Sequence, residues 1–238
     1  MVLAEGLSRF IYEDPDGDFA LPFEIRGVKI YWLGHDSFRI TDTKTIYIDP
    51  YKIKGGPRAD IILITHEHFD HLDQPSITKV ASPNTAVLAA EPCRGALGGL
   101  GLRDVRYVRP GDELNLGEVK VKVIPAYNLN KFKQPGVVFH PKNAGGVGYF
   151  ITFKDVTIYH TGDSDHIPEM RGLRPEVSLM PVSGTYVMTA DEAAKAVSDL
   201  ETRIAIPMHY GAIVGSAKDA QEFKRLAGCE VVILPKEE

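Results

Sequence analysis

Residues 61–73 read IILITHEHFDHLD, so His66, His68, Asp70 and His71 stand close together directly behind an apolar run. Imidazole and carboxylate together are a ligand set for zinc, and also for manganese, nickel or iron. A solvated loop has no need of so many metal-grade side chains, and a packed core does not tolerate them unpaired. His66 and His68 are two apart on an extended chain, project the same way and can grip one ion. Asp70 and His71 follow as the chain turns and face a neighbouring position suited to a second. Two later segments repeat the logic of a ligand at the tip of an apolar strand. YHTGDSDH (159–166) offers Asp163, placed to bridge two ions, and IPMHYG (206–211) offers His209. No cysteine takes part, which excludes a Cys-type zinc finger. The expected cofactor is one or two divalent ions, foremost Zn2+, with Mn2+, Ni2+ or Fe2+ as alternatives.

Such a site activates water. Next to a divalent ion the pKa of water falls from about 15.7 to about 7, so hydroxide is available at neutral pH without a Ser or Cys nucleophile. The absence of a GxSxG string agrees with this. Asp70 and His71 are the catalytic candidates. Asp70 would orient the nucleophile or accept its proton, and a nearby histidine would assist the leaving group.

Rigid elements must hold these side chains. Residues 27–34, 37–40 and 45–50 alternate, are rich in β-formers and read as an antiparallel meander. Residues 59–66 form a continuous apolar run suited to a strand buried on both faces. A helix capped by Asp73 or Ser76 and running to about Val80 follows, then a strand at 85–90. CRGALGGLGL (93–102) reads as a short helix ended by Gly101; it lacks the Lys-Ser/Thr ending of a phosphate loop. VRYV, EVKVKVIPA, GVGYFITF and VTIYHTGD read as strands. TADEAAKAVSDL (189–200) has a capping box of Thr189 and Glu192 with an apolar stripe. A strand at 203–209, a helix at 216–228 closed by Gly228, and a last strand EVVILP complete the chain. Two packed sheets with helices outside satisfy this order.

Composition sets outer limits. The chain has 238 residues, of which 44% are hydrophobic and 25% charged, which is ordinary for a globular protein. No linker or composition shift divides it, so one domain over 1–238 is expected. A net charge of −5 gives no general reason to bind nucleic acid or an anionic membrane. No apolar run is long enough to span a bilayer, and the first twenty residues lack a secretory pattern. Cys93 and Cys229 lack metal-type spacing and read as free thiols. Together these features point to the cytoplasm. An acidic string at 13–18, EDPDGD, fails the calcium-loop spacing, because its glycine falls at the fourth position. The sequence carries no signature of an oligomeric state.

The series His66, His68, Asp70, His71, Asp163 and His209 resembles the metallo-β-lactamase superfamily. The strings WLGHDSFRI, IYIDPY, ADIILITHEHFDH, YHTGDSDH and PMHYG are similar to a branch of small metal-dependent hydrolases that includes ascorbate-phosphate lactonase-like proteins. The resemblance runs from about residue 28 to about residue 215. It implies an α/β fold, an αββα four-layer sandwich with the metal site at one edge of the two sheets. It also implies that His66 and His68 hold one ion, that Asp70, His71 and His209 hold the other, and that Asp163 bridges them. The flavo-diiron branch tends to carry Glu at the second position of the motif. His68 here favours hydrolysis.

One position departs from the family. A histidine is expected near the middle of the chain, after a strand ending in the style of PAWH, and here the string is PAYN with Asn128. Three outcomes stay open. His140 reaches back to replace the missing ligand, the site is weakened or holds a single ion, or His160 or water substitutes. Strand alternation points His160 away from Asp163. His35, after Gly34, would orient a ligand or touch substrate, and Asp49 would accept a proton from a ligating imidazole. The stretch 128–148 carries Lys131, Lys133 and Lys142 and no acidic residue. With Asn128 and His35, these lysines are the substrate-facing candidates, placed to receive an anionic group. The expected function is hydrolysis of a small ester, lactone or phosphodiester by metal-activated water. A phosphodiesterase or nuclease, and a binding protein with a degenerate metal site, are the rival readings.

Overall fold

The structure is a computed structural model that describes residues 21–237. The secretory-pattern and calcium-loop readings above fall on residues outside that range. Seven strands form the first sheet: β1 (Phe23–Ile25), β2 (Val28–Gly34), β3 (Ser37–Thr41), β4 (Thr45–Ile48), β5 (Ile61–Ile64), β6 (Ala86–Ala90) and β7 (Asp104–Val108). They lie in chain order, antiparallel from β1 to β4 and parallel from β4 to β7. The helix α1 (Gln74–Val80) connects β5 to β6.

The second sheet repeats this division. It comprises β8 (Glu113–Leu116), β9 (Val119–Pro125), β12 (Val147–Phe153), β13 (Val156–His160), β14 (Val177–Pro181), β15 (Ile204–Met208) and β16 (Glu230–Val231). The first four are antiparallel neighbours and β13 to β16 are parallel. Between β9 and β12 stands a separate hairpin of β10 (Phe132–Gln134) and β11 (Val137–Val138). The helices α2 (Ala190–Leu200) and α3 (Ala217–Leu226) pack on each other and on the second sheet. This is the expected α/β sandwich.

Local chemistry explains the main elements. β5 is IILI with all four residues buried, as an apolar run between two covered faces requires. α2 carries the capping box, Thr189 accepting from the Glu192 N–H, and buries Ala193, Ala196, Val197 and Leu200 on one stripe. The buried apolar side chains form one cluster that includes residues of both sheets. Polar bonds also cross between them. The Tyr149 hydroxyl, fully buried, donates to the Ile64 carbonyl at 2.7 Å.

Several expectations need correction. Residues 93–102 are not a helix: a single 3-10 turn at Glu91–Cys93 leads into successive turns. Gly95, Gly99 and Gly101 all take positive φ there, which a right-handed helix excludes. The last strand is only Glu230–Val231 rather than the whole of EVVILP. α3 stops at Leu226, with Ala227 already extended, so Gly228 does not close it. The stretch 128–148 holds the β10–β11 hairpin and a 3-10 turn at Lys142–Ala144, which the sequence did not mark.

Strand direction places the chemistry. β2, β4 and β5 run the same way in the first sheet, and β9, β13 and β15 do so in the second. His35, Asp49, His66, Asn128, Asp163 and His209 each follow the C-terminal end of one of these strands. Strands of one direction therefore deliver them to one edge of each sheet.

Candidate metal centre

Two overlapping groups of side chains meet at this edge. In the first, His66 Nε2 lies 3.0 Å from His68 Nδ1, and His140 Nε2 lies 3.3 Å from the same atom. His140 arrives from the loop just after β11 and not from a sheet strand. Asn128 holds it: the amide oxygen accepts from the His140 backbone N–H at 2.9 Å and lies 3.0 Å from Nδ1. That turns Nε2 toward the cluster. The Asn128 amide nitrogen donates to the Tyr186 carbonyl at 2.8 Å and to Asp165 at 3.3 Å.

The second group centres on His71 and His209, both almost fully buried. His71 Nδ1 is 2.7 Å from Asp49 Oδ2, so it donates there and aims Nε2 inward. Asp49 also accepts from the Thr65 N–H at 2.8 Å. His209 Nδ1 lies 2.9 Å from Ser183 Oγ, which leaves its Nε2 free in the same way. Asp163 stands between the groups. Oδ1 is 3.4 Å from His71 Nε2, and Oδ2 is 3.4 Å from His209 Nε2, 3.5 Å from His140 Nε2 and 4.0 Å from His66 Nε2. Gly162 makes this position reachable. Its φ is +62°, and a Cβ there would sit 2.6 Å from the Val147 carbonyl. Asp70 lies at the margin, 3.9 Å from His71 Nε2 and hydrogen-bonded to His35 Nε2 at 3.0 Å.

The electrostatics follow from crowding bases and acids in a dry place. Burial, reinforced by His71, holds His66 well below the ordinary histidine value. Burial also opposes charge on His71, yet Asp163 and Asp49 outweigh it and hold this ring well above that value. For His209 burial is likewise overcome, by Asp36 and Asp163, and the ring rises to about 9. Burial would raise Asp163, but His71 and His209 keep it well below the carboxylate range. The cluster thus stabilises positive charge at its centre.

The residues fit divalent ions. His71 Nε2, Asp163 Oδ1 and both oxygens of Asp36 are buried atoms with no hydrogen-bond partner among the described residues. Buried polar atoms normally have one. An ion about 2.0–2.2 Å from each donor leaves neighbouring donors roughly 3–4 Å apart, which is the spacing found here. Three sets of donor atoms are close enough to share an ion: His66, His68 and His140; His66, His71 and Asp163; and His35, Asp36, His71 and His209.

Other candidates lie elsewhere. His160 is buried with Nε2 2.9 Å from the Asp36 carbonyl and Nδ1 accepting from the Gly162 N–H, so it supports the backbone behind the site. Asn128 has its amide atoms committed and presents none to a substrate. Lys131 is drawn to Glu192 at 2.7 Å and Asp165 at 3.3 Å, and Lys142 to Glu169 at 2.6 Å. Lys133 is exposed on β10. Asp36 was missed by the sequence reading. In the string GHDSF it looks like a turn residue, and only its place beside His35 hinted at more. A cleft of about 40 Å³ opens beside His66, His68, His140 and Asp163. A larger cavity of about 500 Å³, lined by Arg39, Lys52, Lys54 and Lys236 among others, includes none of the cluster side chains.

Residues 29–209 match the beta-lactamase superfamily domain. The chain belongs to that superfamily. It is 31% identical over 221 residues to a UPF0173 metal-dependent hydrolase of Methanopyrus kandleri, covering 83% of this chain and 90% of the relative. A second such hydrolase, from Thermoplasma volcanium, is 34% identical over 228 residues, covering 89% and 97%. Among solved structures, a putative metal-dependent hydrolase from Parabacteroides distasonis superposes with a TM-score of 0.76 at 32% identity, covering 89% of this chain and 94% of that one. The protein is a metal-dependent hydrolase of the superfamily. The names of these three relatives specify no substrate. No helix among the described residues is long and apolar enough to cross a membrane.

Proposed function

We propose that this hydrolase cleaves a small ester or lactone carrying an apolar group, with two divalent ions held at the sheet edge. His66, His68 and His140 would hold one ion, His71, His209 and Asp70 the other, and Asp163 would touch both. The observation that carries this reading is His140. It occupies the gap left by Asn128 and brings a third imidazole to His66 and His68. That counts against a degenerate centre. A bound divalent ion there supplies a water that ionises near neutral pH and an electrophile for the oxygen that gains charge. Imidazole-rich donors suit Zn2+. The protein's own part is orientation. Asp49, Asn128 and Ser183 fix three imidazoles, and Asp70 at the margin is placed to accept a proton.

The apolar group rests on the surface around the centre. The large hydrophobic residues most exposed among those described are Phe69, Leu129, Phe132 and Ile213. Phe69 follows His68, Leu129 follows Asn128, Phe132 lies on the His140 hairpin, and Ile213 lies just beyond His209. Anchoring of an anionic group by lysines has less support, since Lys131 and Lys142 already pair with carboxylates. We also read the chain as one hydrolase domain, a view supported by the core cluster shared between the sheets. A reducing compartment such as the cytoplasm suits the free thiols Cys93 and Cys229.

The test is a screen of the Zn2+- and Mn2+-loaded protein against esters and lactones of increasing acyl length and against phosphodiesters. Turnover should rise with acyl length and fall in Phe69→Ala, chiefly through KM. Equal turnover of short and long acyl groups, or cleavage of phosphodiesters alone, would reject this substrate class.

A further inference from the structure

Asp36 is fully buried, and among the described residues neither carboxylate oxygen has a hydrogen-bond partner. Burying a carboxylate with no donor is strongly unfavourable unless a cation answers it. Three imidazole nitrogens surround Oδ2: His35 Nε2 at 3.5 Å, His71 Nε2 at 3.7 Å and His209 Nε2 at 3.8 Å. These separations are long for hydrogen bonds. They match donors that share an ion, which lie roughly 3–4 Å apart when each bond is about 2.0–2.2 Å. His71 and His209 have their other nitrogens occupied by Asp49 and Ser183, so the atoms near Asp36 are the ones free to bind.

The backbone is built to keep this carboxylate in place. His35 takes a positive φ of 52°, unusual for a residue with a Cβ. The His209 N–H donates to the His35 carbonyl at 3.1 Å, and His160 reaches the Asp36 carbonyl at 2.9 Å. The Trp32 indole N–H donates to the same His35 carbonyl at 2.8 Å. The turn between β2 and β3 is thus pinned from both sheets.

We infer that Asp36 is a direct ligand of the second ion, together with His71 and His209. The inference rests on the two-ion reading above and adds a hard oxygen donor to it. With Asp36, Asp70 and Asp163, this half of the centre offers three carboxylates, which favours Mn2+ or Fe2+ over Zn2+ relative to the His66–His68–His140 half.

The experiment compares wild type, Asp36→Asn and His68→Ala, stripped with chelator and reloaded with Mn2+ or Zn2+ alone. Bound ions are counted by elemental analysis, and thermal unfolding is followed with and without Mn2+. Wild type should hold two ions. Asp36→Asn should lose one or bind it at least about tenfold more weakly. His68→Ala should lose the other, and the combined variant should hold none. The metal-free Asp36→Asn protein should still fold, as circular dichroism would show. Its gain in Tm on adding Mn2+ should be smaller. Two ions bound with wild-type affinity by Asp36→Asn would overturn the inference and leave the two-ion reading intact. A metal-free variant that cannot fold would also overturn it by showing a structural role. Wild type that takes up no ion would end both readings.

Discussion

In the proposed centre, Asn128 and His140 would divide between them a task that the related pattern gives to one histidine. Asn128 supplies no ligand atom. Its amide oxygen instead fixes the His140 ring, and its amide nitrogen is tied to Tyr186 and Asp165. Removing a group that orients a metal-binding histidine typically costs about 10–100-fold in affinity. Asn128→Ala should therefore weaken one bound ion by about that factor while leaving the His71–His209 half unchanged. Titration of the stripped protein with Zn2+ reads this directly, and equal weakening of both ions would contradict it. At this scale the sequence was informative where the side chains that gather at the sheet edge were contiguous or stood at strand tips. His66, His68, His71, Asp163 and His209 all announced themselves by spacing or by an apolar run before them. Asp36 did not, because a turn aspartate needs no explanation until its burial is known. The role of Asn128 likewise depends on a partner twelve residues away that only folding brings near.

At the scale of elements, the β10–β11 hairpin is fastened to α2 through Glu192. Lys131 meets this carboxylate at 2.7 Å, the Asn130 amide donates to it at 2.8 Å, and the Thr189 N–H does so at 2.8 Å. Burial opposes its ionisation, but the Lys131 bond and the helix cap prevail and bring it from 4.5 to about 2. A carboxyl with a depressed folded pKa stabilises the fold above its unfolded value and loses that contribution as pH falls through the folded one. Glu192→Gln should thus be most destabilising above about pH 4.5, with the gap to wild type closing toward pH 2. Urea unfolding across this range tests it, and a gap independent of pH would refute it. Elements with strong local signals were legible: β2 to β6, β9, β12, β13, β15, α1 and α2. The turn-rich stretch 93–102 misled, since apolar residues at helical spacing mask glycines that need positive φ. The hairpin was hidden because its strands are three and two residues long, too short for alternation to register.

For the whole molecule, ions held from both sheets, as proposed, would link metal binding to global stability. A ligand that binds only the folded state at about 100 times its Kd adds about 2.7 kcal/mol. For a chain of this size that raises Tm by roughly 5–10 °C. Chelation should lower Tm by such an amount, and calorimetry showing the same Tm before and after chelation would argue against ions joining the sheets. The sandwich itself followed from the order of strands and helices. The pairing of each four-stranded antiparallel half with a three-stranded parallel half did not, because a buried strand's own residues do not fix the direction of its neighbour.

Because strands running the same way send the candidate site side chains to one edge, the far rim carries none of them. There the β1–β2 turn at Arg26 meets Asp155 of the β12–β13 turn at 3.0 Å, and Thr43 of the β3–β4 turn meets Glu118. Such exposed pairs contribute little, about 0–1 kcal/mol each. A strand of five or so residues separates this rim from the catalytic one by roughly 17 Å. A tether for immobilising the enzyme, or an inserted peptide, belongs in the β3–β4 turn and not at Arg26, which also pairs with the largely buried Glu176, and there it leaves the candidate metal centre open.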